Sequence, residues 1–155
     1  MEDKVFAEIM ESLYTYYRII SSYQNTPRTY GTDELLYQTE VHTIQMIGDN
    51  PGMSLNELAD KTYRTKSAMS VLIKALAEKD LVTRKRDEED NRKYIITLAK
   101  KGQDVYEYHS KLDKKNYRKI LDEVNSLEKV NLNELKTTLK LLDNLNKVQS
   151  IQLAE

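Results

Sequence analysis

Between Leu81 and Gly102 the spacing of apolar residues switches from the 3.6 of a helix to the 2 of a strand, and then back. Val82-Thr83-Arg84-Lys85-Arg86 and Lys93-Tyr94-Ile95-Ile96-Thr97-Leu98 alternate as short strands. The polar run from Asp87 to Arg92 joins them, so the unit reads as a hairpin. Elsewhere the apolar residues recur every three or four positions. Val5, Ile9, Leu13, Tyr16, Tyr17 and Ile20 predict a helix over 3–23. Val41, Ile44 and Ile47 predict another over 38–48, closed by Gly48. Val105, Tyr108, Leu112, Tyr117, Ile120 and Val124 predict a helix over 103–125. Leu132, Leu135, Leu139, Leu142 and Leu145 predict a last one over 128–150. Four Gly and two Pro in 155 residues are too few for a many-turned β protein or a glycine-rich phosphate loop. The expected fold class is mainly α, with one small β-hairpin.

Local signals divide the middle of the chain. Residues 24–37, with Pro27 and Gly31, read as an ordered but irregular loop, and Asp49-Asn50-Pro51-Gly52 as a turn. Ser54-Leu55-Asn56-Glu57 has the form of a capping box and opens a short helix over 55–61, with Leu55, Leu58 and Ala59 facing inward. After a break at Thr62 to Arg64, Thr65 is placed to cap a helix over 66–79. Its inward face carries Ala68, Met69, Leu72, Ile73 and Leu76. Its outward face carries Lys66, Ser67, Ser70, Val71 and Lys74.

The net charge of −1 hides an asymmetry. Residues 61–101 hold twelve Lys and Arg against six acids, whereas residues 1–60 hold three against ten. A basic middle segment between acidic and neutral flanks is the footprint of a polyanion-binding module set in a larger scaffold. The chain has no Cys, which excludes disulfides, thiolate zinc sites and cysteine redox sensing. No apolar run reaches the about 18 residues of a membrane span. The first residues, MEDKVFAEIM, lack the basic and apolar regions of a signal peptide, so a soluble cytoplasmic protein is expected. A catalyst built on His42 with Glu40 or Asp113 would have no nucleophile–base motif, phosphate cradle or strong ligand spacing behind it. No enzyme activity, cofactor or metal is therefore expected.

Two short helices, a tight turn and a hairpin within the basic segment make a winged helix-turn-helix. A helix of this length fits the roughly 12 Å wide major groove of DNA. Its N-terminal amides favour phosphate, and an arginine at a hairpin tip can reach the neighbouring minor groove. On this reading Thr65, Lys66, Ser67, Ser70, Val71 and Lys74 face DNA, and Arg84 and Arg86 meet its backbone.

The run LNELADKTYRTKSAMSVLIKALAEKDLVTRKRDEEDNRKYIITLAKKG, from Leu55 to Gly102, resembles the MarR family of transcriptional regulators. The most specific part is the hairpin, where Asp90-Asn91-Arg92 precedes Tyr94-Ile95-Ile96, Leu98 and Gly102. The resemblance implies that Asp90 orients Arg92 and that Arg92 enters the minor groove. It also implies that the first and last helices of two subunits interlock. Three departures stand out. Asp80 follows the recognition helix where the family usually has Gly, and Asp tolerates a left-handed backbone. Tyr37 stands where a Thr or Ser cap is common. Asp87, Glu88 and Glu89 crowd the hairpin tip with charge that opposes phosphate, which points to modest affinity or an outward tip.

Three segments follow from this reading. Residues 1–37 form an N-terminal dimerisation helix and loop, 38–101 a winged helix-turn-helix DNA-binding domain, and 102–155 the C-terminal dimerisation helices. The apolar faces of the first and last helices exceed what one small domain can cover, so a homodimer is expected on a pseudo-palindromic operator. Eleven Tyr with no Trp and one Phe suggest an amphipathic pocket. Tyr14, Tyr17, Tyr37, His42, Met46 and Tyr106 are its candidate lining. The resemblance implies a phenolic or acyl effector there. Thr39-Glu40-Val41-His42-Thr43-Ile44 also looks like a segment of the family's fatty-acid-synthesis repressors. Of the two His, His42 is expected partly buried and His109 on the surface. The expected function is a sequence-specific, ligand-responsive repressor binding double-stranded DNA. The alternative is a helical adaptor whose winged helix no longer binds DNA.

Overall fold

A computed structural model describes residues 2–86 and 94–152. The elements run α1 (Glu2–Gln24), β1 (Arg28–Thr29), β2 (Leu35–Leu36), α2 (Gln38–Asp49), α3 (Leu55–Lys61), α4 (Lys66–Glu78), β3 (Val82–Arg86), β4 (Tyr94–Leu98), α5 (Lys100–Leu127) and α6 (Leu132–Gln152). The fold is mainly helical with a small antiparallel hairpin, β3–β4, paired from Val82↔Leu98 to Arg86↔Tyr94. The chain forms two compact units, residues 1–110 and 111–155.

The core of the first unit is built from one face of each short element. Leu36, Val41, Ile44, Ile47, Leu58, Met69, Ile73, Leu76, Leu81, Ile96 and Val105 are sealed from solvent. The helical spacing of Met69, Ile73 and Leu76 and the strand position of Ile96 bring α4 and β4 onto the same cluster. Ala68, read as inward, is exposed, because the buried stripe of α4 is narrower than the pattern allowed. Gly102 lies where the first turn of α5 crosses the carbonyl of Leu81. A Cβ there would stand 1.9 Å from that oxygen, so backbone meets backbone and only Gly fits.

Local chemistry fixes the helix starts. At α3, Ser54 N donates to Glu57 Oε2 at 2.8 Å, and Glu57 N donates back to Ser54 Oγ at 3.3 Å. At α4, Ala68 N donates to Thr65 Oγ1 at 3.2 Å. The departure at Tyr37 is compensated from inside the helix. Its side chain makes no cap, but its amide donates to Glu40 Oε2 at 2.8 Å.

Several boundaries differ from the sequence expectation. Gly48 does not end α2, which runs to Asp49; it makes room for the ring of Tyr106, which packs where a Cβ would be. The irregular loop contains a two-residue ladder, Arg28↔Leu36 and Thr29↔Leu35, anchored by buried Tyr30. The last helix begins at Leu132 rather than 128 because Asn131 caps it. Its Oδ1 accepts from the amides of Asn133 and Glu134, and Glu134 accepts from the Asn131 amide. Helix α5 starts three residues earlier than read, with Gln103 N bonded to Ala99 O at 2.9 Å.

α1 buries no residue, and Val5, Phe6, Tyr14, Tyr17 and Ile19 are exposed along it. In the second unit, Tyr117, Ile120, Val124 and Leu127 of α5 are exposed, as are Leu132, Leu135, Leu139 and Val148 of α6. Among the described residues no helix is long and apolar enough to cross a membrane.

Candidate nucleic-acid interface

The turn between α3 and α4 is closed by backbone bonds from Tyr63 N to Asp60 O at 3.2 Å and from Arg64 N to Ala59 O at 2.9 Å. Tyr63 takes the left-handed conformation, with φ of 52°. The turn sends α4 away with its N-terminus free of acids in the first turn. Thr65, Lys66, Ser67, Val71 and Lys74 are exposed on it, and Ser70 is half-buried. Val71 is 70% exposed. Lys74 makes an exposed pair with Glu78 at 3.9 Å, one helical turn on, which water screens heavily.

The hairpin stands next to this helix-turn-helix. Ile96 N donates to Met53 O at 3.0 Å, and Ser54 bridges Ile95, so the inner end of β4 is tied to the start of α3. The hydroxyls of Thr83 and Thr97 meet across the hairpin at 2.7 Å. Arg84, Lys85 and Arg86 are exposed. The Arg84 guanidinium lies 4.8 Å from the centroid of the Tyr94 ring, and that of Arg86 5.8 Å. Asp90 and Arg92 lie outside the described residues. Asp80, after the C-cap Lys79, takes φ of 57°, the left-handed turn that the sequence reading allowed it.

Two cations tie the β1–β2 segment to this frame. Lys79 donates to Glu40 Oε1 at 2.7 Å and to Leu35 O at 3.3 Å. The Glu40 side chain is almost fully buried, so the pair joins the start of α2 to the end of α4. Lys101 donates to Glu34 Oε1 at 2.7 Å. That bond holds the lysine above its usual pKa, against a smaller opposite effect of burial.

The candidate effector residues lie on three helices, α1, α2 and α5, and at the start of α2. Tyr14 and Tyr17 are exposed on α1, Tyr17 at 62%, so one chain closes no pocket around them. Tyr37 is exposed at the start of α2, and Met46 is half-buried. Tyr106 is a packing residue: its ring covers Gly48 and its hydroxyl donates to Asp49 Oδ1 at 2.8 Å. That bond, then burial, raises its pKa. The two histidines reverse their expected places. His42 is exposed and His109 is 3% exposed, because α5 turns His109 inward against the loop. Their rings stack at 5.3 Å, and the ring of Tyr30 meets His109 edge-on at 5.6 Å. Burial chiefly, and Tyr23 next, raise the pKa of Tyr30. This aromatic group was missed as a group. Its members stand far apart in the chain, and no local pattern joins them.

Residues 36–94 match the sequence model of the MarR family. The HTH-type transcriptional regulator SarZ of Staphylococcus epidermidis is 28% identical over 87 residues, which are 56% of this chain and 56% of that protein. The matched part thus spans about half the length of the curated relatives. A MarR/EmrR family transcriptional regulator from Acinetobacter sp. ADP1 has a similar structure, with a TM-score of 0.67 and 24% identity over 96% of each chain. Streptococcus pneumoniae FabT, solved in complex with DNA, gives a TM-score of 0.66 and 22% identity, covering 96% of this chain and 98% of its own. Staphylococcus aureus MarR, solved with salicylate and kanamycin, gives 0.60 and 20%, covering 99% and 93%. The structural likenesses carry the fold, and the sequence match covers the helix-turn-helix and the first strand of the hairpin.

Proposed function

We propose that the chain is a transcriptional regulator that binds double-stranded DNA as a homodimer. The observation that carries this reading is the joint placement of two basic surfaces. α4, which exposes Lys66 and Lys74, packs against β3, which exposes Arg84, Lys85 and Arg86. A major-groove helix beside a backbone-gripping hairpin is the arrangement the chemistry of duplex DNA asks for. Thr65, Ser67, Ser70 and Val71 would then lie against base edges or sugars. Arg92, oriented by Asp90, would enter the minor groove. The relatives are named as regulators, which favours this reading over the adaptor.

Dimerisation is supported by the exposed apolar residues of α1 and, separately, of α6, since apolar helix faces left open mark an interface. A phenolic or acyl effector is supported more narrowly. The Staphylococcus aureus relative was solved with salicylate. In this chain Tyr30, His42 and His109 group aromatic rings beside Met46 on α2, which would suit such a ligand.

The test is a binding titration of the full chain on mixed-sequence duplex at rising salt. With six or more phosphates neutralised per dimer, affinity should fall on the order of a thousandfold between about 50 and 200 mM salt. A flat salt response would overturn the reading.

A further inference from the structure

We propose that Tyr94 is a positioning residue for phosphate binding. Its ring holds Arg84 and Arg86 together as one site for the sugar–phosphate backbone. The inference rests on the DNA-binding reading and deepens it.

The register makes the group. Arg86 is directly opposite Tyr94, and Arg84, two residues back, is opposite Ile96. Alternation along a strand puts all four side chains on one face of the hairpin. Ile96 is fully buried, so the inner end of that face is fixed to the core. The outer end carries the three polar-ended side chains. There the two guanidinium carbons stand 4.8 and 5.8 Å from one ring centroid.

Two cations on one ring have a specific consequence. The negative face of the aromatic ring attracts each of them, while they repel one another. An anion that bonds both would relieve that repulsion. A guanidinium stacked on a ring would present its flat face and keep its N–H edges free for the bidentate geometry that a phosphate accepts. The ring also narrows the rotamers of two long side chains before DNA arrives, which lowers the ordering cost of binding. Leucine or isoleucine at 94 would fill similar space and keep the strand, but could do neither.

The experiment compares the full chain with Tyr94→Phe, Tyr94→Leu and Tyr94→Ile on mixed-sequence duplex across a range of salt. The Arg84→Ala/Arg86→Ala chain is measured with and without Tyr94→Leu. Tyr94→Phe should bind as wild type does. Tyr94→Leu and Tyr94→Ile should bind about fivefold more weakly, the effect of losing one exposed ring–cation attraction. Their salt slope should be shallower by up to about 0.9 for each phosphate no longer neutralised. In the chain without the two arginines, Tyr94→Leu should change nothing further. An unchanged affinity and slope in Tyr94→Leu and Tyr94→Ile would overturn the inference while leaving the DNA reading standing. So would an equal loss in Tyr94→Phe, or an equal loss without the arginines. A wild-type chain with no salt-dependent binding would instead remove the DNA reading, and this inference with it. Unfolding midpoints keep the cases apart, since a purely structural tyrosine would move the midpoint and leave the salt slope alone.

Discussion

At the scale of single residues, Tyr63 and Asp80 hold the same backbone conformation by different means. Asp80 belongs to a residue type that tolerates positive φ, and its turn was legible in the sequence for that reason. Tyr63 does not, and nothing in the sequence marked it. Its φ of 52° follows from the way the α3–α4 turn closes, through bonds to Asp60 and Ala59 that only the folded backbone defines. Tyr63 is exposed, so little burial offsets the steric cost. Replacing it with Gly should stabilise the fold by up to about 1 kcal/mol. The relief of left-handed strain, about 1–2 kcal/mol, outweighs the extra freedom of the unfolded glycine. Denaturant unfolding measures this, and a lower midpoint would contradict it. Gly102 shows the converse. Its place in the family pattern was legible, but its reason, the carbonyl of Leu81 lying across the helix, exists only in three dimensions.

At the scale of elements, what was legible is what is local. The caps at Ser54 and Thr65 work through bonds within four residues, and both stand as read. The hairpin announced itself through its period, and its paired strands match that reading to within one residue. The aromatic group of Tyr30, His42 and His109 was not legible, because a loop and two separate helices contribute one ring each. The exposed face of α4 offers a direct test of orientation. Ser70 lies at the edge of that face, half-buried beside Val71. Ser70→Arg adds charge that favours phosphate in general but bulk that blocks close seating in the groove. The preference for a selected operator over mixed-sequence DNA should therefore fall, by about tenfold or more, as side chains are held away from the base edges. Unfolding should be little changed, because a long charged side chain can extend into solvent. A retained preference in competition binding would mean that another face of α4 meets the bases.

At the scale of the whole molecule, the account depends on two copies. A single reading head reaches few base edges, and a two-fold pair reads twice as many at a fixed spacing. The sequence pointed to this through apolar faces at both ends of the chain. In the structure α1 and α6 bear those faces in the open, at Phe6 and Ile19 in one and at Leu135 and Leu139 in the other. Leu139→Glu places a charge on the α6 face and should shift the species in sedimentation from two chains towards one. The exposed site leaves the folding of the first unit unaffected. Operator affinity should fall together with the dimer. A dimer that survives the charge would move the interface elsewhere.

The most direct test of the central claim is operator selection. The purified full chain is mixed with random duplex DNA at low and moderate salt, and the bound sequences are read. The account predicts an enriched two-fold pseudo-palindrome, its half-sites about one helical turn apart, retained more weakly as salt rises. Absence of any enriched sequence at either salt, or enrichment of a lone half-site, would contradict a dimeric winged-helix reader of DNA.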